Sequence, residues 1–222
     1  MINDSDILSN NLVIKKINHA IKNRIPSSFI RKGDGENIVI GYKFLNEVKL
    51  KDFYRMMRIM NVGILNFKFH KFIQTELIKS FNNCDILGIS KENQRYGYWA
   101  IENKIIGLLN FKSKQYCNMN FHMKFIKHPK ENKINDKSIN TILNNKNIGV
   151  ISCFNVSKFL KQYNTKVQEW IKLPIQRDNF FNKKINQEFY NNVEQKIKDN
   201  SNVDFWIVAA GIHAKIFCNQ IF

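Results

Sequence analysis

The sequence predicts an α/β domain, with a mainly parallel sheet and helices on both of its faces. Three observations carry that expectation. From Ile148 onward, apolar runs alternate with amphipathic stretches in the order strand, helix, strand, helix, strand, helix. Such alternation marks parallel strands joined by helical crossovers. The run Asp85, Ile86, Leu87, Gly88, Ile89 is short, apolar and preceded by a polar turn, as a strand buried on both faces is. The chain has 222 residues with only three prolines and nine glycines. That length fits a single domain over residues 1–222 with a sizeable core and no long flexible linker.

The elements follow in order. Leu8, Leu12, Ile14, Ile17, Ile21 and Ile25 recur mostly three or four apart. This is one face of a helix, opened by the cap region Asp4, Ser5, Asp6 and closed at Pro26. Residues 28–31 read as a short strand, 32–35 as a turn carrying Gly33 and Gly35, and 36–42 as a short helix. Leu50, Phe53, Tyr54, Met57 and Met60 mark the next helix, and Phe69, Phe72, Ile73, Leu77 and Phe81 the one after it. A strand at 85–89 precedes a helix at 99–110, a strand at 115–119 and a short helix at 121–126. The polar stretch 128–140 is expected to be an exposed loop between two halves of the domain. Strands at 148–153, 167–173 and 204–210 then alternate with helices at 156–163, 182–199 and from 212 onward. The strands around Phe29, Ile86, Ile148 and Ile207 are expected in one Rossmann-like sheet. Ligands of such sheets bind at the carboxyl ends of the strands, here just after Ile30, Ile89, Cys153, Leu173 and Ala210.

The formal net charge is +17. It suits a polyanionic partner: nucleic acid, an anionic membrane surface or a phosphorylated substrate. It also suits an AT-rich coding sequence, because Lys, Asn and Ile are all abundant and the lysines are scattered. The predicted helices do not gather lysines on one face, so no specific nucleic-acid partner is expected. Peripheral association with a membrane stays open. Cys84, Cys117, Cys153 and Cys218 show no CxxC spacing, which excludes a zinc-site signature and reads as free thiols. The N-terminal residues are polar and acidic, and no apolar run approaches the roughly 20 residues of a membrane helix. A cytoplasmic protein is expected. GxSxG, HExxH, GxxxxGK[ST] and Cys-His patterns are missing, so hydrolase and P-loop chemistry have no foothold.

The sharpest chemical feature is Arg31-Lys32-Gly33-Asp34-Gly35-Glu36. Two carboxylates one residue apart sit in a glycine turn at a strand end. They can serve a hard divalent cation that keeps positions open for substrate phosphates. Arg31 and Lys32 can bind the same phosphates. The same residues also fit a surface turn that merely caps the next helix. Val208-Ala209-Ala210-Gly211 before a helix is a second anion-type site, since a small residue at a helix start lets backbone N–H groups approach a phosphate; it equally fits a tight turn. His122 is a candidate base or a structural histidine. His213, just after Gly211, is a candidate phosphate contact. Arg177 and Asp178 follow Pro174 at a strand end, with Asp178 a candidate general base or a helix cap. Residues 94–99 (Gln94, Arg95, Tyr96, Gly97, Tyr98, Trp99) offer aromatic faces for a sugar or base, or simply begin a helix.

The segment Phe29-Ile30-Arg31-Lys32-Gly33-Asp34-Gly35-Glu36 resembles the Arg-aromatic-Gly-Asp-Gly-Glu segment of the GT-D fold glycosyltransferases. Residues 85–89, 148–152, 171–174 and 208–215 resemble pieces of related bacterial proteins in the same order. The resemblance covers the chain from about Ile25 onward, and its first segment is the specific one. It implies a GT-D type fold and transfer of a sugar from a nucleotide donor, foremost a UDP-sugar, to a glycan or glycoconjugate acceptor. It implies that Asp34 and Glu36 bind Mn²⁺ or Mg²⁺. Arg31, Gly33, Gly35, Gly211 and His213 would hold the donor, and Asp178 or His122 would serve catalysis. Two departures bear on activity. Lys32 stands where the family has an aromatic residue. The chain also stops at Phe222, where relatives continue into a glycine-rich strand. A catalytically inactive binding module is therefore the first alternative, and a basic nucleic-acid-binding protein the second.

Overall fold

The computed structural model describes residues 2–59, 67–109, 115–125, 139–174 and 185–221. Its elements are β1 (Ile7–Leu8), α1 (Asn10–Asn23), β2 (Phe29–Arg31), α2 (Asp34–Gly41), α3 (Leu50–Ile59), α4 (Phe67–Asn83), β3 (Ile86–Ile89), α5 (Glu102–Leu108), β4 (Gln115–Asn118), α6 (Asn140–Leu143), β5 (Asn147–Ser152), α7 (Ser157–Leu160), β6 (Lys166–Lys172), α8 (Gln187–Asp199), β7 (Phe205–Ala209) and α9 (Ile212–Ile221). A 3₁₀ segment, Met119–Phe125, follows β4.

Among the described residues every strand pairing is parallel, as the alternation predicts. The strands lie in two sheets, however, with orders β1-β4-β3-β2 and β6-β5-β7. This corrects the single sheet expected from Phe29, Ile86, Ile148 and Ile207. The reason lies in side-chain periodicity. Successive side chains of a strand point to opposite faces, and both sheets use the same two apolar layers. Ile30, Leu87, Ile89, Tyr116, Ile151 and Ile171 join one core cluster. Ile86, Cys117, Ile148 and Val150 join the other. The first cluster holds α2, α3, α4, α5, α8 and α9 through residues such as Val39, Met57, Leu77, Ile105, Val193 and Phe217. The second holds α1 and α6 through Val13 and Ile142. Two sheets thus share one helical layer above and one below, and an apolar pattern alone does not distinguish this from one continuous sheet.

Local chemistry explains several boundaries. The first helix begins later than the apolar spacing predicts. Ile7 and Leu8 pair with Tyr116 and Cys117 as a strand, and Ser9 then caps the helix by accepting from Leu12 N at 3.3 Å. Trp99 belongs to a separate 3₁₀ turn, so the helix predicted from 99 starts at Glu102. Asn186 caps α8 by accepting from Phe189 N at 2.9 Å, which sets the start of that helix at Gln187. The carboxyl end of α2 is closed by a side chain from another helix. Gln74 of α4 donates to the carbonyls of Val39, Ile40 and Tyr42 at 2.8, 3.3 and 3.0 Å. Among the described residues, no helix is long and apolar enough to cross a membrane.

Candidate functional site

Asp34 and Glu36 begin α2 rather than decorate a loop. They occupy its first and third positions behind the N-cap Gly33. Helix positions two apart do not face each other, and the two carboxylates meet different surroundings. Asp34 is exposed, and its Oδ1 accepts from the Gly35 amide at 2.9 Å. Glu36 is only 5% exposed, and its Oε1 lies 2.7 Å from Lys215 Nζ of α9. A Cβ on Gly33 would collide with Glu36 Oε2, so the glycine is what lets the carboxylate fold back over its own N-cap. Burial would push the Glu36 carboxyl up. The ammonium of Lys215, helped by Lys32, outweighs this and holds it below the ordinary glutamate value of 4.5.

Lys215 ties the two predicted loops together. The same ammonium that holds Glu36 donates to the Gly211 carbonyl at 2.8 Å. Gly211 has φ +57°, a left-handed conformation that suits glycine. Residues 33–36 and 211–215, far apart in sequence, therefore meet at the carboxyl ends of β2 and β7, one from each sheet. His122 lies in the 3₁₀ segment that follows β4 and packs on β3. Its Nδ1–H donates to the Met119 carbonyl at 2.8 Å. Burial, and then the charges of Arg31 and Lys215, hold it below the ordinary histidine value of 6.5, against the pull of that carbonyl. With Nδ1 as donor, the neutral ring presents Nε2 as an acceptor. Arg31 is exposed at the end of β2.

Beneath this cluster lies a second, fully buried charge pair. Lys32 and Glu102 are both 0% exposed and form an ion pair. Lys32 Nζ also donates to Asn37 Oδ1 at 2.5 Å and lies 5.4 Å from the Trp99 ring centroid. Glu102 Oε2 accepts from the Ser90 amide at 2.9 Å and from the Ser90 hydroxyl. Asn37 Nδ2 donates to the Tyr98 carbonyl at 3.1 Å. Burial keeps the Lys32 ammonium below its ordinary value of 10.5, although Glu102 and Glu36 work against it. This corrects the reading of Lys32 as a phosphate ligand: its charge is spent inside the protein, where it fixes β2 and α2 to β3 and α5. Trp99, at 8% exposure, covers it and so offers no open face to a sugar.

The remaining candidates separate. His213 is 3% exposed and bonds through Nδ1 to the Tyr190 hydroxyl at 2.5 Å. The structure therefore places it in the packing between α8 and α9, two helix positions from Lys215. Arg177 and Asp178 lie outside the described residues. A cavity of about 400 Å³, lined by Asp4, Ser9, Lys91, Asn118, Asn120 and Phe121 among others, opens at the carboxyl ends of β1 and β4, beside His122 on the chain. Lys215, the residue that joins the site, was visible only as the last letter of a helix-start motif. Its partner Glu36 lies far away in sequence.

A family model described as a GT-D fold-like domain matches residues 8–222. The chain belongs to this GT-D-like family. Its fold is thus related to that of glycosyltransferases, as the Arg31–Glu36 segment implied. No curated protein and no solved structure matches the chain. Among the described residues, no group of three or more His, Cys, Asp and Glu is placed to hold a metal ion. Asp34 and Glu36 stand two positions apart in the first turn of α2, and a cation that keeps waters and takes substrate phosphates needs only one or two carboxylates.

Proposed function

We propose that this GT-D-like chain is a glycosyltransferase that moves a sugar from a nucleotide donor, foremost a UDP-sugar, to a hydroxyl of a glycan or glycoconjugate. The observation that supports the reading is the meeting of Glu36 with Lys215 and, through it, Gly211, which brings the turn of Arg31 and Asp34 and the turn after β7 to the carboxyl ends of β2 and β7, the edge where sheets of this class bind nucleotides. Asp34 and Glu36 would hold Mn²⁺ or Mg²⁺, which as a Lewis acid stabilises the charge on a departing diphosphate. Arg31 pairs with the phosphates, and Gly211 leaves room for their approach. His122, neutral and with Nε2 as acceptor, is the general base for the acceptor hydroxyl. The cavity at Asn118 and Asn120 is where the acceptor approaches: its amides, carboxylate and Phe121 ring suit a sugar.

One observation favours a second reading, a binding module without catalysis. The internal ammonium of Lys215 already neutralises Glu36, so the carboxylate does not need a metal ion to be stable. Calorimetry separates the two, using UDP-, GDP- and dTDP-sugars with and without Mn²⁺. The clean variant is Asp34→Asn, because Asp34 is exposed whereas Glu36→Ala would strand a buried lysine. The transferase reading expects Mn²⁺-dependent binding of one donor, its loss in Asp34→Asn, and weaker binding in Gly211→Val even with metal. Equal binding by wild type and Asp34→Asn in Mn²⁺ defeats the metal assignment.

A further inference from the structure

Lys215 touches both halves of the site, and the proposed function gives it no role. Its ammonium is 2.7 Å from Glu36 Oε1 and 2.8 Å from the Gly211 carbonyl. Lys215 is 7% exposed and Glu36 5%. A Cβ on Gly33 would meet both Glu36 Oε2 and Arg31 Nη1, so two cations, the exposed Arg31 and the buried Lys215, flank Glu36. A buried ammonium held by a single carboxylate keeps a hydrogen-bonding direction for a better anion. The carboxylate itself sits in the first turn of α2.

We propose that the Glu36–Lys215 ion pair is a lock on a diphosphate-binding cation. Glu36 occupies Lys215 in the free protein. When Glu36 is engaged by a divalent cation, Lys215 is released to pair with the diphosphate of the donor. The Gly211 carbonyl holds the ammonium in place during the exchange, so it changes anions without leaving the site. This rests on the donor reading above and adds the order of events: the carboxylate must be satisfied before the phosphates bind well.

The test uses inorganic pyrophosphate and Mn²⁺ as separate probes in calorimetry, on the full chain. Without divalent ions, wild type should bind pyrophosphate weakly. Glu36→Gln keeps the shape and removes the charge, and should bind it roughly tenfold more tightly, the size of one gained charge-assisted hydrogen bond. Adding Lys215→Met to Glu36→Gln should erase that gain. With Mn²⁺ alone, Lys215→Met should bind more tightly than wild type, because the competing cation is gone. This arm stands even if Glu36→Gln does not fold. Pyrophosphate affinity unchanged in Glu36→Gln, a gain that survives Lys215→Met, or weaker Mn²⁺ binding in Lys215→Met each overturns the lock. A gain through Lys215 in a protein that binds no nucleotide sugar keeps the lock and defeats the donor reading. Donor binding with no gain does the reverse.

Discussion

Removing the Glu102 carboxylate strands the Lys32 ammonium in a place that is 0% exposed, leaving it Asn37 Oδ1 and the face of Trp99. Breaking a buried pair from one side costs roughly 3–5 kcal/mol. Lysine has an escape, because it can lose its proton and sit neutral. Neutralising it at pH 7 from an ordinary value of 10.5 costs about 5 kcal/mol, so the escape sets a ceiling of similar size. Glu102→Ala should therefore lose roughly 3–5 kcal/mol out of a total that is typically about 5–15, and melt roughly 6–20 °C lower. The sign of the pH dependence follows. A lysine whose folded value is lowered binds fewer protons folded than unfolded, so stability rises with pH up to 10.5. The penalty in Glu102→Ala should shrink as pH rises above 7, while Lys32 is neutral in the variant and still charged against Glu102 in wild type. Urea denaturation followed by circular dichroism at pH 7 and pH 9 measures both. A loss under about 1 kcal/mol, or a penalty that does not shrink at pH 9, refutes the account of this pair.

Two further outcomes test the upper part of the site. Glu36 is held below 4.5 chiefly by Lys215 against the pull of burial, so its ion pair stabilises the fold above that pH and the contribution fades as pH falls through the lowered folded value. Glu36→Gln should flatten the acid limb of a melting-temperature profile below 4.5 relative to wild type, and parallel limbs would count against it. Gly33→Ala drives a Cβ into Glu36 Oε2 and should cost about 1–3 kcal/mol. Most of that cost should vanish in a Glu36→Ala background, a coupling that a double-mutant cycle reads directly.

Most strands were legible, because β3, β5 and β7 are short apolar runs between polar turns and β6 alternates inward and outward residues. The strands predicted at 28–31, 85–89, 148–153, 167–173 and 204–210 appear as β2, β3, β5, β6 and β7 with ends moved by one residue. β1 was not legible: Ile7 and Leu8 continue the helical spacing of α1, and only the Ser9 cap and the pairing with β4 separate them. The division into two sheets was hidden for a related reason, since strand faces are set by periodicity while sheet membership is set by hydrogen bonds between distant segments. The same limit governed the site. Arg31, Asp34, Glu36 and Gly211 stood out by residue type and turn chemistry. The meaning of Lys32 and Lys215 depended on Glu102 and Glu36, partners that no local pattern names.

The Gln74 amide, holding three carbonyls at the far end of α2, has a consequence for the two carboxylates at its start. An eight-residue helix on its own would fray, its ends sampling many conformations in microseconds or less. Here the trailing end is tethered to α4, and the leading end to α9 through Lys215. The freedom of Asp34 and Glu36 to wander is given up when the chain folds, not when a ligand arrives. A ligand that meets this helix therefore faces a smaller ordering cost on binding, and hydrogen exchange at the amides of α2 should be slow before any ligand is added.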